Sequence, residues 1–311
     1  MTPDVAASVR ARLLTVAKET GEEFERTLAR FAAERWLYRL GSSAARDRCI
    51  LKGAALLAVW LPNPHRATRD VDLLGSGASD DDTIRQLITE VAVTPCPEDG
   101  LAFDLGELSI EPIREETEYA GVRALFWARL ATAKIRMQVD FGFGDAIAHG
   151  PEEVTLPLML SALPTTTLRA YPREQSVAEK FEAMVQLETR NSRMKDFHDV
   201  WALAGAFPFD GTRLRDAVAE CFARRRTQWA EEMPAVLTAR FYESAAMRAR
   251  WSSYVSAGAV HDATPRDFAV IGERLVSFFG PVRDAVVANE PLRARWTPAG
   301  AWEKVMGDAS L

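Results

Sequence analysis

The chain has 311 residues, of which 48% are hydrophobic and 26% charged, and its formal net charge is −6 at pH 7. This composition is typical of a folded globular protein, and the charge excludes coating of nucleic acid by bulk attraction but not a local basic face. No window holds about 18 uninterrupted apolar residues, the N-terminus lacks an apolar stretch of signal-peptide length, and the three cysteines show no C-x-x-C spacing. We therefore expect a cytoplasmic protein without a membrane span, a disulfide framework or a zinc ribbon.

Apolar periodicity predicts alternating helices and strands up to about residue 170. The helical segments are 4–40, which divides into two helices, 54–61 and 80–91. The segments with the pattern of strands are 48–52, 69–74, 101–113, 122–130, 134–141 and one or two more between 154 and 169. Ser79, with Asp82 three residues later, is the predicted cap of the helix over 80–91.

From Pro172 onward the pattern predicts helices almost to the end of the chain. One helix follows Pro172, and a second begins near Met194. Further amphipathic segments over 210–290 are separated by breaks at three positions, which are Pro234, Pro265 and Gly280. The organisation predicted from the residues is therefore a mixed α/β half followed by a helical half.

Two aspartates lie two residues apart on the strand predicted over 69–74. Alternation directs Asp70 and Asp72 to one face, with their side-chain roots about 7 Å apart. Adjacent like charges disfavour each other's ionised form, and Mg²⁺, which prefers hard oxygen ligands, converts that repulsion into binding. Taken alone, a D-x-D pair is more often a solvated turn or strand edge.

A third carboxylate, Asp140, lies near the end of the strand predicted over 134–141. Alternation places it on one face with Arg136 and Gln138. If this strand neighbours the one over 69–74, three carboxylates converge, as two-metal phosphoryl or nucleotidyl transfer requires.

A glycine turn precedes the aspartate pair. Lys52, Gly53 and Ala54 lie between a predicted strand and a predicted helix. Glycine lets the backbone approach a ligand closely, and a helix N-terminus offers unpaired N–H groups to a phosphate. Such junctions are common alone, but a strand, a glycine turn, a helix and then D-x-D form a much more specific pattern.

Four motifs in this order resemble the AbiEii/AbiGii toxin family, which includes MenT-type toxins. They are Lys52–Leu56, Arg66–Leu74, Glu179–Ala183 and Arg193–Trp201, within about residues 45–205. The resemblance implies an α/β (α+β) fold with a polymerase β-like nucleotidyltransferase core, built on a small mixed sheet, plus a C-terminal helical bundle. The core, with its N-terminal helices, would cover 1–170, and a helical domain over 171–311 would complete the active-site cleft.

The same resemblance implies a toxin of a bacterial toxin–antitoxin or phage-defence system, with a cognate antitoxin. Some relatives transfer a nucleotide from NTP to the 3′ end of tRNA, so the implied reaction uses NTP, Mg²⁺ and an RNA acceptor and releases pyrophosphate. Two alternatives stay open: transfer to a protein hydroxyl, and a binding module without catalysis. The second arises because Ala54 and Ala55 stand where many members carry Gly-Thr or Ser in the phosphate turn.

Matching positions in the motifs imply the site residues. The implied metal ligands are Asp70, Asp72 and, from the neighbouring strand, Asp140. The implied nucleotide-binding residues are Lys52, Gly53, Ala54, Arg66, Arg69 and Lys195. The implied catalytic residues are Asp70, Asp72, Lys180, Asp196 and Asp199.

Lys180 would contact the triphosphate, because an ammonium binds a phosphate oxygen as a point charge. Without the resemblance, its pattern favours a surface lysine paired with a neighbouring glutamate. Asp196 and Asp199 lie on one helix face, and they would either fix Lys180 or include a general base toward the 3′ hydroxyl. The residues leave these two roles open.

Overall fold

The structure, a computed structural model, describes residues 4–61, 70–113, 121–229, 232–257 and 263–305. It divides into two compact units, which are described separately. The N-terminal unit comprises Met1–Asp145 with Pro151–Ala170, and the C-terminal unit comprises Ala146–Gly150 with Tyr171–Leu311. In the described part of the chain, no helix is both long enough and apolar enough to span a membrane.

In its described residues, the N-terminal unit contains four α-helices and a mixed sheet. Its helices are α1 (Val5–Thr20), α2 (Phe24–Ser42), α3 (Ala55–Trp60) and α4 (Asp81–Val93). Its strands are β1 (Cys49–Lys52), β2 (Asp70–Gly75), β3 (Leu101–Ile113), β4 (Gly121–Leu130), β5 (Ala133–Phe143), β6 (Glu152–Thr155) and β7 (Thr167–Ala170). The predicted mixed α/β class and the predicted elements of this half are confirmed.

The strand order of this sheet is β3-β4-β5-β2-β1-β7-β6. Strand β2 runs antiparallel to β1 and parallel to β5, so the two strands that carry the predicted aspartates are direct neighbours. Alternation along β2 buries Val71 and Leu73 completely, which leaves the intervening residues on the opposite face. The expected adjacency of these two strands is therefore confirmed.

One capping prediction is wrong. The N-cap of α4 is Asp80 and not Ser79, because the Asp80 carboxylate accepts hydrogen bonds from the backbone N–H of Thr83 at 3.0 Å and from its hydroxyl at 2.8 Å. A carboxylate at this position also complements the positive end of the helix dipole, which a serine hydroxyl does not.

A buried ionic cluster joins α2 to the segment that precedes β3. Asp99, with no exposed surface, accepts hydrogen bonds from Arg39 Nη1 at 2.7 Å and Nη2 at 3.1 Å, and from Arg35 Nε at 3.1 Å. The two guanidinium groups also donate to the carbonyls of Pro164, Leu101 and Arg35, and Arg35 forms a second ion pair with Glu34 at 3.4 Å. Each buried charge therefore has a partner, which is the condition under which buried ions are tolerated.

The C-terminal unit is mainly helical, as predicted. Its helices are α5 (Arg173–Leu187), α6 (Met194–Ala206), α7 (Gly211–Arg224), α8 (Ala239–Glu243), α9 (Ala245–Ser256) and α10 (Phe268–Val287). It also contains strands that the sequence pattern did not predict. They are β8 (Phe209–Asp210), β9 (Ala294–Thr297) and β10 (Ala301–Lys304), which form a small antiparallel sheet of order β10-β9-β8.

The predicted break at Gly280 is also wrong, because α10 continues through Gly280 and Pro281. A proline removes one backbone hydrogen bond from a helix interior. The buried side chains of Phe278, Phe279 and Val282 fix the helix on both sides of this point. Tertiary packing therefore overrides a local signal that normally ends a helix.

Candidate active site

The turn between β1 and α3 brings Gly53 against an aspartate of β2. In the antiparallel pairing of β1 with β2, Lys52 lies opposite Asp72. Gly53 has a φ of +72°, in the left-handed region that favours glycine. A Cβ atom at this position would lie 2.0 Å from Asp72 Oδ2. Both the backbone conformation and the close carboxylate therefore require glycine here.

Three carboxylates share one face of the sheet at the β2–β5 pair. Asp70 and Asp72 are two residues apart on β2, where Asp70 is exposed and Asp72 half-buried. In the parallel register, Asp72 is level with Asp140 of β5, and Asp70 is level with Gln138. The structure thus brings the predicted carboxylates together, and we call Asp70, Asp72 and Asp140 the carboxylate row.

Asp140 is bound by two side chains from the same face. Arg123 of β4 donates from Nε to Asp140 Oδ1 and from Nη2 to Oδ2, both at 2.8 Å, and Gln138 Nε2 donates to Oδ2 at 3.1 Å. The hydrogen bonds to Asp140 outweigh burial and, together with the charges of Asp140 and Asp70, raise the pKa of the Arg123 guanidinium. The arginine is therefore a positive charge placed at the carboxylate row.

The C-terminal unit contains a buried lysine–carboxylate cluster. From α5, Lys180 Nζ donates to Asp196 Oδ1 at 2.9 Å and to Asp199 Oδ2 at 2.7 Å, both on α6. The aspartates have 1% and 0% of their side-chain surface exposed, and the lysine 14%. The structure therefore joins the three catalytic residues predicted in this half.

Asp196 is ionised although it is fully buried. Burial favours its neutral form, but the positive charges of Lys180 and Arg193 outweigh burial and hold the pKa of Asp196 below its ordinary value. Arg193 contributes through its Nε, which donates to Asp196 Oδ2 at 2.7 Å. Both oxygens of this carboxylate are therefore committed to cations.

Comparison with known proteins decides the family. A model described as the nucleotidyl transferase AbiEii toxin of a type IV toxin–antitoxin system matches residues 35–274. The chain belongs to this family. The AbiEii member is accordingly a nucleotidyltransferase with a nucleotide substrate, and its family implies an antitoxin. No curated protein matches the chain.

Two solved structures from Helicobacter pylori are similar to this AbiEii member. One is described as a candidate nucleotidyltransferase, with a TM-score of 0.48, and the other is JHP933, with a TM-score of 0.45. Each is 12% identical in sequence, and each alignment covers 82% of this chain and 93% of the other.

The other predicted nucleotide-binding residues lie at several places. Arg66 and Arg69 lie outside the described residues. Lys195 is exposed on α6, while Lys52 Nζ donates to Asp145 Oδ2 at 3.3 Å. Ala54 is buried and directly precedes α3. Nucleotide binding by these residues stays a prediction.

Sequence reasoning missed Arg123 and Arg193 as members of the site. Arg193 lies in a recognised motif, and its spacing of three residues from Asp196 was an available signal. Arg123 had no such signal, because its relation to Asp140 depends on the register of β4 against β5. Only a resolved strand pairing identifies it.

The carboxylate row fits a divalent cation through two of its members. Asp70 and Asp72 supply hard oxygen ligands from one face, and one or two protein carboxylates with water and phosphates are the usual set for Mg²⁺. Both oxygens of Asp140 accept hydrogen bonds from neighbouring side chains. Within the described ranges, no three His, Cys, Asp or Glu side chains form a group that could hold a metal. Asp140 as a ligand therefore stays a prediction.

We predict that Gly53→Ala reduces transferase activity at least about 100-fold, on the scale of losing one group that stabilises the transition state. The added Cβ atom displaces the Asp72 carboxylate, in addition to the cost of about 1–2 kcal/mol for a left-handed alanine. Steady-state activity and thermal unfolding measure the two effects. Gly21→Ala is the matched control, because Gly21 has a φ of +68° and no neighbour within 4 Å of the added atom. Equal activity losses in the two variants would contradict the prediction.

Proposed function

We propose that this AbiEii member transfers a nucleoside monophosphate from NTP to the 3′ hydroxyl of an RNA, with tRNA as the expected acceptor. The observation that carries the transfer chemistry is the position of Asp70 and Asp72 on one face of β2, with Gly53 of the turn after β1 against Asp72. The RNA acceptor is supported by the resemblance of the four sequence motifs.

The proposed reaction forms one P–O bond and breaks another. The acceptor oxygen attacks the α-phosphorus of the NTP, the bond between this phosphorus and the bridging oxygen of the β-phosphate breaks, and pyrophosphate leaves with the electron pair. The hydroxyl proton passes to water. A Mg²⁺ ion held by Asp70 and Asp72 supplies Lewis acidity toward the phosphate oxygens.

The residues around Asp70 and Asp72 have positioning roles in the proposed reaction. Gly53 lets the backbone approach the phosphates without displacing Asp72. Arg123 holds the Asp140 carboxylate through two parallel hydrogen bonds, which fix its orientation. Asp140 would serve as a third metal ligand through a lone pair that these hydrogen bonds leave open, with Arg123 keeping its orientation fixed.

In the C-terminal unit, we assign phosphate binding to Lys180. Its side chain keeps 14% of its surface exposed, whereas the side chains of Asp196 and Asp199 are buried. A general base works best with a pKa near the working pH. The positive charges of Lys180 and Arg193 outweigh burial and lower the pKa of Asp196. We therefore assign Asp196 to holding and orienting Lys180, and we assign the same role to Asp199, which is fully buried and accepts a hydrogen bond from Lys180 Nζ at 2.7 Å.

Transfer of label from NTP tests the proposal. The purified protein is incubated with each of four NTPs labelled at the α-phosphate, with Mg²⁺, total RNA and total cellular protein. We expect label in a tRNA-sized band, and a loss of at least about 100-fold in Asp72→Asn, since this change removes charge from the metal-binding pair. Asp82→Asn, at an exposed position in the first turn of α4, is the matched control.

Each outcome of the labelling experiment decides a claim. Label on RNA that is lost in Asp72→Asn and retained in Asp82→Asn supports the proposal. Label on protein would replace the RNA acceptor by a protein hydroxyl. Binding of NTP with no label on either class would contradict transfer and leave a nucleotide-binding module.

A further inference from the structure

We propose that the outer face of β4 and β5 binds the single-stranded 3′ end of the RNA acceptor and leads it to the carboxylate row. The surface consists of five residues, Arg123, Trp127, Arg129, Lys134 and Arg136, and we call it the β4–β5 basic surface. The inference rests on the proposed function, because it names where that acceptor binds.

The pairing register places this surface on the same face as the carboxylates. In the antiparallel pair, Arg123 lies opposite Asp140, Trp127 opposite Arg136, and Arg129 opposite Lys134. Direct cross-strand partners share a face, and so do residues two or four apart on one strand. The basic surface and the carboxylate row therefore form one continuous strip within the N-terminal unit.

The basic side chains of this strip are open to solvent. Side-chain exposure is 55% for Arg129, 40% for Lys134 and 37% for Arg123, and Arg136 is also exposed. Four cations on one sheet face are accessible to phosphates, which exchange with the acidic side chains beside them. Exchange of ion pairs, and not an excess of positive charge, is what suits this surface to a polyanion.

Three of the cations have acidic neighbours on β3: Glu111 lies directly opposite Arg123, and two exposed, exchangeable ion pairs join the other two cations to this strand. Arg129 Nη2 lies 2.7 Å from Asp104 Oδ2, and Lys134 Nζ lies 3.6 Å from Glu107 Oε1. Exposed pairs of this kind contribute little to stability. A nucleic-acid phosphate can therefore replace the carboxylate as the partner of either cation without a large cost.

An aromatic ring lies among these cations. Lys134 Nζ is 4.1 Å from the centroid of the Trp127 ring, and Trp127 Nε1 donates to Glu107 Oε2 at 2.9 Å. The hydrogen bond fixes one edge of the indole. A base can stack on its face when the mobile lysine chain moves to a phosphate, as aromatic rings do in single-strand binding proteins.

The spacing fits a strand whose end reaches the carboxylates. Arg136 precedes Asp140 by four residues on β5, a separation of about 14 Å along an extended strand. This length leaves room for a short single-stranded segment between a phosphate at Arg136 and a 3′ hydroxyl at Asp140. A duplex offers neither unstacked bases nor a free end along such a face, so the occupant is single-stranded RNA.

An equilibrium binding experiment without NTP tests the β4–β5 basic surface. Its ligand is a short 5′-labelled poly(A) strand with a free 3′ hydroxyl. We expect Arg136→Glu to weaken binding about tenfold, and Arg136→Ala to lower the slope of log K against log salt by about 0.7, the value for one phosphate contact. Trp127→Ala should weaken binding at least about fivefold through loss of stacking. Arg136→Lys should retain the wild-type slope, because it keeps the charge.

Arg85→Glu is the matched control, because Arg85 is an exposed arginine of α4 in the same unit. Thermal unfolding of Trp127→Ala and Arg136→Glu separates a binding defect from misfolding. In steady-state transfer, we expect Arg136→Ala to raise the KM for RNA and to leave the KM for NTP unchanged.

Three results would overturn the inference: no binding of the strand by the wild type, equal losses in Arg85→Glu and Arg136→Glu, or a raised KM for NTP in place of RNA. Because binding is measured without NTP, a failure of the surface is distinguishable from a failure of transfer. A protein that binds the strand through Arg136 but transfers no label would contradict the proposed function alone.

Discussion

Replacing Lys180 by methionine is expected to lower transferase activity by at least about 100-fold, the scale of losing one charge that stabilises the transition state. The same change is expected to lower the free energy of unfolding by about 3–5 kcal/mol, as does removal of one partner from other buried ion pairs. The reason is local, since Asp196 and Asp199 have 1% and 0% exposed side chains and lose a partner that lies within 2.9 Å. Labelled NTP transfer and urea unfolding measure the two effects.

A triple variant separates the role in catalysis from the role in stability. Lys180→Met combined with Asp196→Asn and Asp199→Asn removes the ammonium and both buried charges. Replacing a whole buried ionic cluster often leaves the free energy of unfolding nearly unchanged, whereas removing one partner lowers it strongly. We therefore expect the triple variant to regain most of the lost stability and none of the activity.

Recovery of activity in the triple variant would contradict phosphate binding by Lys180. A stability loss in Lys180→Met of less than about 1 kcal/mol would show that the aspartates find other partners, since exposed pairs contribute on that scale. Either result would remove the assignment of Asp196 and Asp199 to holding the lysine.

The second large effect is expected at Asp99, far along the chain from any predicted site residue. Asp99→Ala removes the carboxylate that both Arg35 and Arg39 bind, and these side chains are only 0% and 4% exposed; Arg35 keeps the pair with Glu34 at 3.4 Å, whereas Arg39 loses the carboxylate that binds two of its nitrogens. Removal of one partner from a buried ion cluster costs about 3–5 kcal/mol. We expect a loss of that size in the free energy of unfolding.

Hydrogen exchange localises the effect of Asp99→Ala to the N-terminal unit. Amides of α2 should lose protection, because Arg35 and Arg39 are both on this helix, while amides of α6 should keep theirs. Glu153→Gln is the control, since Glu153 forms an exposed pair with Arg46, and we expect it to change stability by less than about 1 kcal/mol. Similar losses in both variants would contradict a special role of the buried cluster.

Much of the N-terminal fold was predictable, because period-two and helical patterns are local properties of the chain. The strand with Asp70 and Asp72 and its adjacency to the strand with Asp140 were both expected. The Asp80 cap and the helix through Gly280 and Pro281 were not, since several local signals compete at such points and packing selects among them.

The small sheet of the C-terminal unit shows the limit of local patterns. Its strands are two to four residues long, too short for a periodicity to be recognised. Trp296 of β9 anchors this sheet to α6, because its buried indole donates a hydrogen bond to the carbonyl of Ala204 at 2.7 Å. The prediction of helices almost to the end of the chain used local patterns only, and these do not contain this long-range contact.

The sequence by itself determined the family motifs, the alternation that puts Asp70 and Asp72 on one face, and the helix-borne Lys180, Asp196 and Asp199. These features depend on residue identity and short spacing. Only the tertiary structure decided which of these residues meet. Arg123 donates hydrogen bonds to Asp140, and Lys180 donates to both Asp196 and Asp199. Trp127 and Arg136 share a face with the carboxylate row. Strand register and helix packing set these contacts, and both are selected by burial across the whole unit, which no short window of sequence contains.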